Sequence, residues 1–87
     1  MTPEDVAKWM LSEINNHDVL YQYDAASQIE DKFGDEFTPL NDNGNPSIRG
    51  DVLQAFRNLS GDDVVWERGE RLWRKRASFD EQRRGQV

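Results

Sequence analysis

The sequence predicts an α+β domain, three helices followed by a C-terminal two-stranded β-hairpin. Three observations predict it. Apolar residues recur every three or four positions in three segments, around residues 6–14, 26–33 and 52–59, the spacing of one helix face. Two short runs, 64–67 and 71–74, carry valine, tryptophan and leucine on either side of Gly69, the pattern of a hairpin. Finally, 87 residues without a cysteine suffice for one small core that apolar packing, not disulfides, must hold together.

The first helix has a clear start. Thr2 is a good N-cap, Pro3 suits the first helical position, and Glu4 and Asp5 complement the positive helix end. Val6, Met10 and Ile14, with Trp9 beside them, form its apolar face, and Asn15 to Asp18 stop it. Val19 to Tyr23 then reads as a brief strand or a tight connector. Asp24 is the expected cap of a second helix whose inner face is Ala26, Ile29 and Phe33, with Gly34 as its stop. Residues 35–46 read as loop, with Phe37 and Leu40 tucked inward and a dense run of turn formers from Asn41 to Pro46. The third helix, 46–59, is expected to start from Asn45 as cap with Pro46 first, or from Ser47. Its stripe is Val52, Leu53, Phe56 and Leu59, and Ser60 to Asp63 end it.

The hairpin follows. A two-residue type II′ turn at Gly69-Glu70, glycine first, sets Trp66 opposite Trp73, a favourable cross-strand aromatic pair. The expected core is Val6, Met10, Ile14, Ala26, Ile29, Phe33, Val52, Leu53, Phe56, Leu59, Val65 and Leu72, with Trp66 and Trp73 closing one side. Residues 1–76 form the expected domain, and the polar stretch 77–87 is expected to fray.

This order of elements is the winged-helix arrangement, with the hairpin as wing and the third helix in the recognition position. The stretch Ile48-Arg49-Gly50-Asp51-Val52-Leu53-Gln54-Ala55-Phe56-Arg57-Asn58-Leu59, with Val64-Val65-Trp66-Glu67-Arg68 and Leu72-Trp73-Arg74, resembles a group of short, uncharacterised bacterial winged-helix-like proteins. The resemblance covers residues 24–76. It implies a fold and a bacterial setting, including carriage on mobile gene cassettes, and transfers no functional residue. About a dozen residues separate the second and third helices, where a compact helix-turn-helix uses three or four.

Composition narrows the function classes. No segment approaches the roughly 20 apolar residues that span a bilayer, and the acidic start Met-Thr-Pro-Glu-Asp is unlike a signal peptide. The expectation is therefore a cytoplasmic protein with no membrane partner. Asn41, Asn43 and Gly44 echo a calcium loop, but Pro39 and Gly50 stand where that loop needs acidic ligands. His17 is the only histidine and there is no cysteine, so a His-centred zinc site or triad lacks partners of the right type at the right spacing, and His17 reads as a helix C-terminal residue suited to the helix dipole. The carboxylates lie in polar runs, away from the burial that raises a catalytic pKa. The chain is thus expected to be no enzyme and to need no metal or cofactor.

Charge is the most informative feature. Residues 1–63 carry 4 Lys/Arg against 13 Asp/Glu, and residues 64–87 carry 7 against 4. An acidic body of net −9 therefore ends in a stretch of +3, giving −6 in all. The candidate interaction residues are Trp66, Arg68, Arg71, Trp73, Arg74 and Lys75 on the hairpin, with Arg49 and Arg57 on the third helix. The expected role is a non-catalytic interaction module that binds a protein partner or self-associates as a homodimer through this aromatic and arginine surface. The alternative is nucleic-acid binding, with hairpin cations on phosphates and the third helix toward the bases. Against it stand the overall acidity and Asp51 in the helix's first turn.

Overall fold

The computed structural model describes residues 2–76; the tail expected to fray, 77–87, lies outside the described residues. Helix α1 runs Pro3–His17, β1 Val19–Tyr21, α2 Gln22–Phe33 and α3 Gly50–Ser60, followed by β2 Val64–Glu67 and β3 Leu72–Lys75. The hairpin partners β2 and β3 are antiparallel, and β1 pairs antiparallel with the other edge of β3, so the sheet order is β1-β3-β2. The short apolar run after α1 is therefore a strand. Its three residues lie opposite Leu72, Trp73 and Arg74.

The start of α1 is a full capping box. The Thr2 side chain accepts from the Asp5 N–H at 3.2 Å, and Asp5 Oδ2 accepts from the Thr2 N–H at 3.0 Å. Two backbone donors that the helix leaves unpaired are thereby satisfied. These hydrogen bonds from Thr2 hold the Asp5 carboxyl below its ordinary pKa. At the far end Asp18 takes a left-handed conformation, φ 70°, and donates its N–H to the Ile14 carbonyl, a conformation that aspartate tolerates better than most residues.

Helix α2 begins two residues before the expected cap. Tyr21 precedes it without a side-chain cap, because the chain turns directly from β1 into the helix. The Gln22 N–H donates instead to the Arg71 carbonyl at 2.9 Å, and Asp24 sits in the first turn as a charge complementing the helix end.

Helix α3 begins later than 46. Neither expected cap is in place: the Asn45 backbone is held in the preceding loop, its N–H donating to Asn41 Oδ1 and its carbonyl accepting from the Asn41 N–H, and Ser47 Oγ donates to the Pro39 carbonyl. The helix opens at Gly50 after Arg49, which leaves 16 residues, 34–49, between α2 and α3. That loop folds on itself. Asn41 Oδ1 accepts from the N–H groups of both Asn43 and Asn45, at 2.9 and 3.0 Å, the local turn that Asx residues favour. Phe37 is buried as expected, but Leu40 is 68% exposed. Its backbone bridges to Pro46, which folds the loop back and leaves the leucine outward.

The core lies between α1, α2, α3 and one sheet face. Val6, Ala7, Met10, Ile14, Leu20, Ala25, Ala26, Ile29, Phe37, Ile48, Val52, Ala55, Phe56 and Trp73 form it, and α1 packs chiefly on α3. Leu72 is also buried, on the other face of the sheet. Phe33, Leu53 and Val65 are only partly buried, while Leu59 and Trp66 are exposed by about two-fifths. Burial along α3 runs through Val52, Ala55 and Phe56 to Ser60, whose Oγ donates back to the Phe56 carbonyl at 2.8 Å. Leu59 is left at the rim.

The hairpin register is the expected one, Trp66 opposite Trp73 and Glu67 opposite Leu72. The turn type is not. Gly69 does not have positive φ; the left-handed residue is Arg71, φ 55°. A left-handed last turn residue belongs to longer loops built on a type I turn, not to type II′.

Candidate functional site: a groove between the third helix and the hairpin

Two tryptophans define the site. The β2–β3 register sets their rings on one sheet face with centroids 4.8 Å apart, inclined at 48°. Phe56, from α3, meets the other side of Trp73 edge to face at 5.5 Å, a favoured aromatic geometry. Trp73 is thus enclosed, 8% exposed, while Trp66 stays 40% exposed. Both tryptophans were expected to close one side of the core; the structure divides them, Trp73 inside and Trp66 at the rim.

Beside this pair lies a cavity of about 290 Å³ lined by Gln22, Leu53, Phe56, Arg57, Trp66 and Trp73. Helix periodicity builds one wall: Phe56 and Arg57 follow Leu53 by three and four positions and so share its side of α3. The sheet builds the other, and Gln22 closes one end at the β1–α2 junction. Leu53 and Phe56 had looked like core alone, and nothing in the sequence marks Gln22. Only the pairing of β1 with β3 brings it there.

The expected cations divide into two sets. Arg57, Arg68 and Arg71 are exposed, and among the described residues their side chains make no hydrogen bond or ion pair. The others are engaged. Arg74 Nε donates to Glu67 Oε2 at 2.8 Å with its side chain 19% exposed, and Lys75 Nζ lies 3.4 Å from Asp18 Oδ1. Arg76 donates to the Asp62 carbonyl. Arg49 is not brought to the groove. Its guanidinium forks onto Asp51 at 2.7 and 2.8 Å, donates to the Glu36 carbonyl at 3.1 Å, and stacks 4.8 Å over the Phe37 ring. The bond to Asp51 raises the Arg49 pKa, and the same bond lowers that of Asp51.

A second cavity, about 330 Å³, lies among Leu11, Asn15, Asp63, Val64, Lys75 and Arg76. Its two cations are the ones already bound to Asp18 and Asp62. No three His, Cys, Asp or Glu side chains among the described residues are grouped to hold a metal ion. None of the described helices is long and apolar enough to cross a membrane.

The chain belongs to a family of unknown function (DUF6953), whose model matches residues 2–75, nearly all of the described fold and every residue of the groove. No curated protein and no solved structure matches the chain.

Proposed function

We propose that this family member is a non-catalytic protein-interaction module that engages its partner through the groove between α3 and the hairpin. One observation carries the reading. Trp66 is held by a stacked neighbour at 4.8 Å yet left 40% exposed, at the lip of an apolar cavity that Arg57 also lines, and the Arg57 side chain has no partner among the described residues. Tryptophan and arginine are the residues that most often dominate binding at protein interfaces. A ring already fixed by its neighbour loses little entropy when a partner covers it. The cavity is at the small end of ligand pockets, which begin near about 300 Å³, so it suits a partner's side chain better than a cofactor.

The element order, with β1 laid along β3, supports a winged-helix architecture in which Arg68 to Arg71 form the wing tip. The same site weighs against duplex DNA as the ligand. Arg49, in the turn of α3 that would meet base edges, is spent on Asp51, and Arg74 and Lys75 are spent on Glu67 and Asp18. Of the eight expected interaction residues, only the cations Arg57, Arg68 and Arg71 have no side-chain partner among the described residues, on a chain of net charge −6.

The test replaces Arg68 with a photoreactive residue in protein expressed in a bacterial cytoplasm, the setting the sequence led us to expect, with Lys8 on α1 as the control position. Discrete, nuclease-resistant protein adducts from position 68 and none from position 8 are expected. Nuclease-sensitive adducts would make the face a nucleic-acid interface and overturn the reading. Equal yields from both positions would overturn it too.

A further inference from the structure

We infer that the occupant of this groove is a second copy of the chain, which enters with the loop carrying Leu40; the inference rests on reading the groove as a protein-docking face. Leu40 is the most exposed of the large aliphatic side chains described, at 68%, and it stands on a loop already fixed. The Asn41 N–H donates to the Asn45 carbonyl at 2.8 Å, and the Gly44 N–H to the Asn41 carbonyl at 2.9 Å. Ser47 donates both its N–H and its Oγ to the Pro39 carbonyl, at 2.9 and 2.7 Å. An apolar side chain presented by a loop so restrained loses little further freedom on docking.

Charge complements shape. Residues 33–48 carry Asp35, Glu36 and Asp42 and no lysine or arginine. Arg57 lines the groove, and Arg68 and Arg71 lie in the turn of the hairpin that forms its other wall, with Glu70 between them. Arg49 borders the acidic loop, but its fork is closed onto Asp51. Loop and groove thus offer an acidic surface with an apolar tip to a basic surface with an apolar socket, the complementarity that steers two protein faces together and fixes their register. Leu40 remains solvent-exposed, so it does not occupy the groove of its own chain, and the contact is between copies. Tip and socket are different surfaces. Two such contacts close a dimer, or one per chain continues head to tail.

Sedimentation equilibrium from about 10 µM to about 1 mM spans the affinities expected of so small a contact. Wild-type protein should show an average mass that rises with concentration. Leu40→Asp loses the tip, and the double reversal Arg57→Glu/Arg68→Glu loses the socket. Both changes fall on exposed side chains, and circular dichroism checks that the fold is kept. Each variant alone should associate at least about tenfold more weakly. The decisive sample is the equimolar mixture, in which one variant keeps a tip and the other a socket. A species of twice the monomer mass should reappear there and go no further. Monomeric wild type at 1 mM, wild-type association by Leu40→Asp, or a mixture that stays monomeric each overturns the inference. Monomeric wild type alongside adducts from position 68 to a different protein leaves the groove an interaction face and removes only the self-docking.

Discussion

Trp66 and Trp73 are opposite each other in register, yet the structure gives them unequal energetic roles, and alanine substitution separates the two. A tryptophan can bury up to about 250 Å². For Trp73, 8% exposed, nearly all of that is removed from water. At about 25 cal/mol per Å² the gross gain is about 5–6 kcal/mol, an upper bound because unfolded chains already bury some surface. Side-chain ordering offsets part of it, so Trp73→Ala should cost about 3–5 kcal/mol, in line with large aromatic truncations in cores. Trp66, 40% exposed, covers about three-fifths as much surface, at the sheet edge where neighbours can relax, and Trp66→Ala should cost about 1–2 kcal/mol. The rings touch, so the double variant should show a coupling of about 0.5–1.5 kcal/mol. A domain of this size is worth only about 4–13 kcal/mol in total. Urea titration followed by far-UV circular dichroism resolves these differences, and Trp73→Phe, at about 1–2 kcal/mol, keeps the cycle usable if the alanine variant unfolds. Equal costs at the two positions, or no coupling, would refute the reasoning that places one ring in the core and the other at its lip.

Three further outcomes follow from the fold. Gly69 does not have positive φ and has open space where a Cβ would go, whereas Arg71 is left-handed. Gly69→Ala should therefore be neutral or stabilise by about 0.4–1 kcal/mol, and Arg71→Asn should not destabilise; a loss above about 1 kcal/mol for Gly69→Ala in thermal melts would restore the glycine-first turn. Thr38 is 2% exposed and its Oγ1 has no hydrogen-bond partner, so Thr38→Val should be neutral or gain about 1 kcal/mol, since it removes a buried unsatisfied hydroxyl without changing shape; a clear loss of stability would show that the hydroxyl is satisfied in solution. Asp5 and Asp51 have folded pKa values below their ordinary ones, so the stability they contribute is full above the ordinary carboxylate range and is lost as pH falls through the depressed values. Asp5→Asn, which removes the titrating carboxylate that accepts from the Thr2 N–H, should flatten the acid limb of a stability–pH curve, and an unchanged limb would contradict that assignment.

Periodicity made most of this fold legible. The N-cap at Thr2, the stripes of α1 and α2, and the Trp66–Trp73 register are all local patterns that the structure keeps. What escaped was decided by competition for the same groups or by pairing across the chain. Asn45 and Ser47 are good caps, but the loop holds the Asn45 backbone and the Ser47 hydroxyl, and α3 starts only after Arg49. Leu40 has the hydropathy of a core residue and is turned out by its backbone bridge to Pro46. The type II′ turn failed because a glycine permits a left-handed angle without requiring one. Strand β1 was open to two readings, since three residues carry no signal of the strand they join, and with β1 went the only route to Gln22 as a wall of the groove.

The arginine cluster shows why composition alone misjudges a binding surface. In sequence Arg68, Arg71, Arg74, Lys75 and Arg76 form one basic patch. A strand sends successive side chains to opposite faces, so Arg74 and Lys75 part at once. Arg74 shares a face with Glu67, which stands diagonally across β2–β3 and binds it, and diagonal neighbours are within reach of long side chains. Lys75 meets Asp18 at the end of α1, because β1 lies against β3. The five are therefore not one cationic patch: among them only Arg68 and Arg71, at the turn, have no side-chain partner among the described residues, and the arginine that lines the apolar recess is Arg57 from α3. A polyanion gains affinity roughly with the number of phosphates neutralised, and Arg57, Arg68 and Arg71 alone, on an acidic chain, offer little of that. A protein surface needs an aromatic anchor, a recess beside it and a few well-placed charges, and the folded chain presents those three features together.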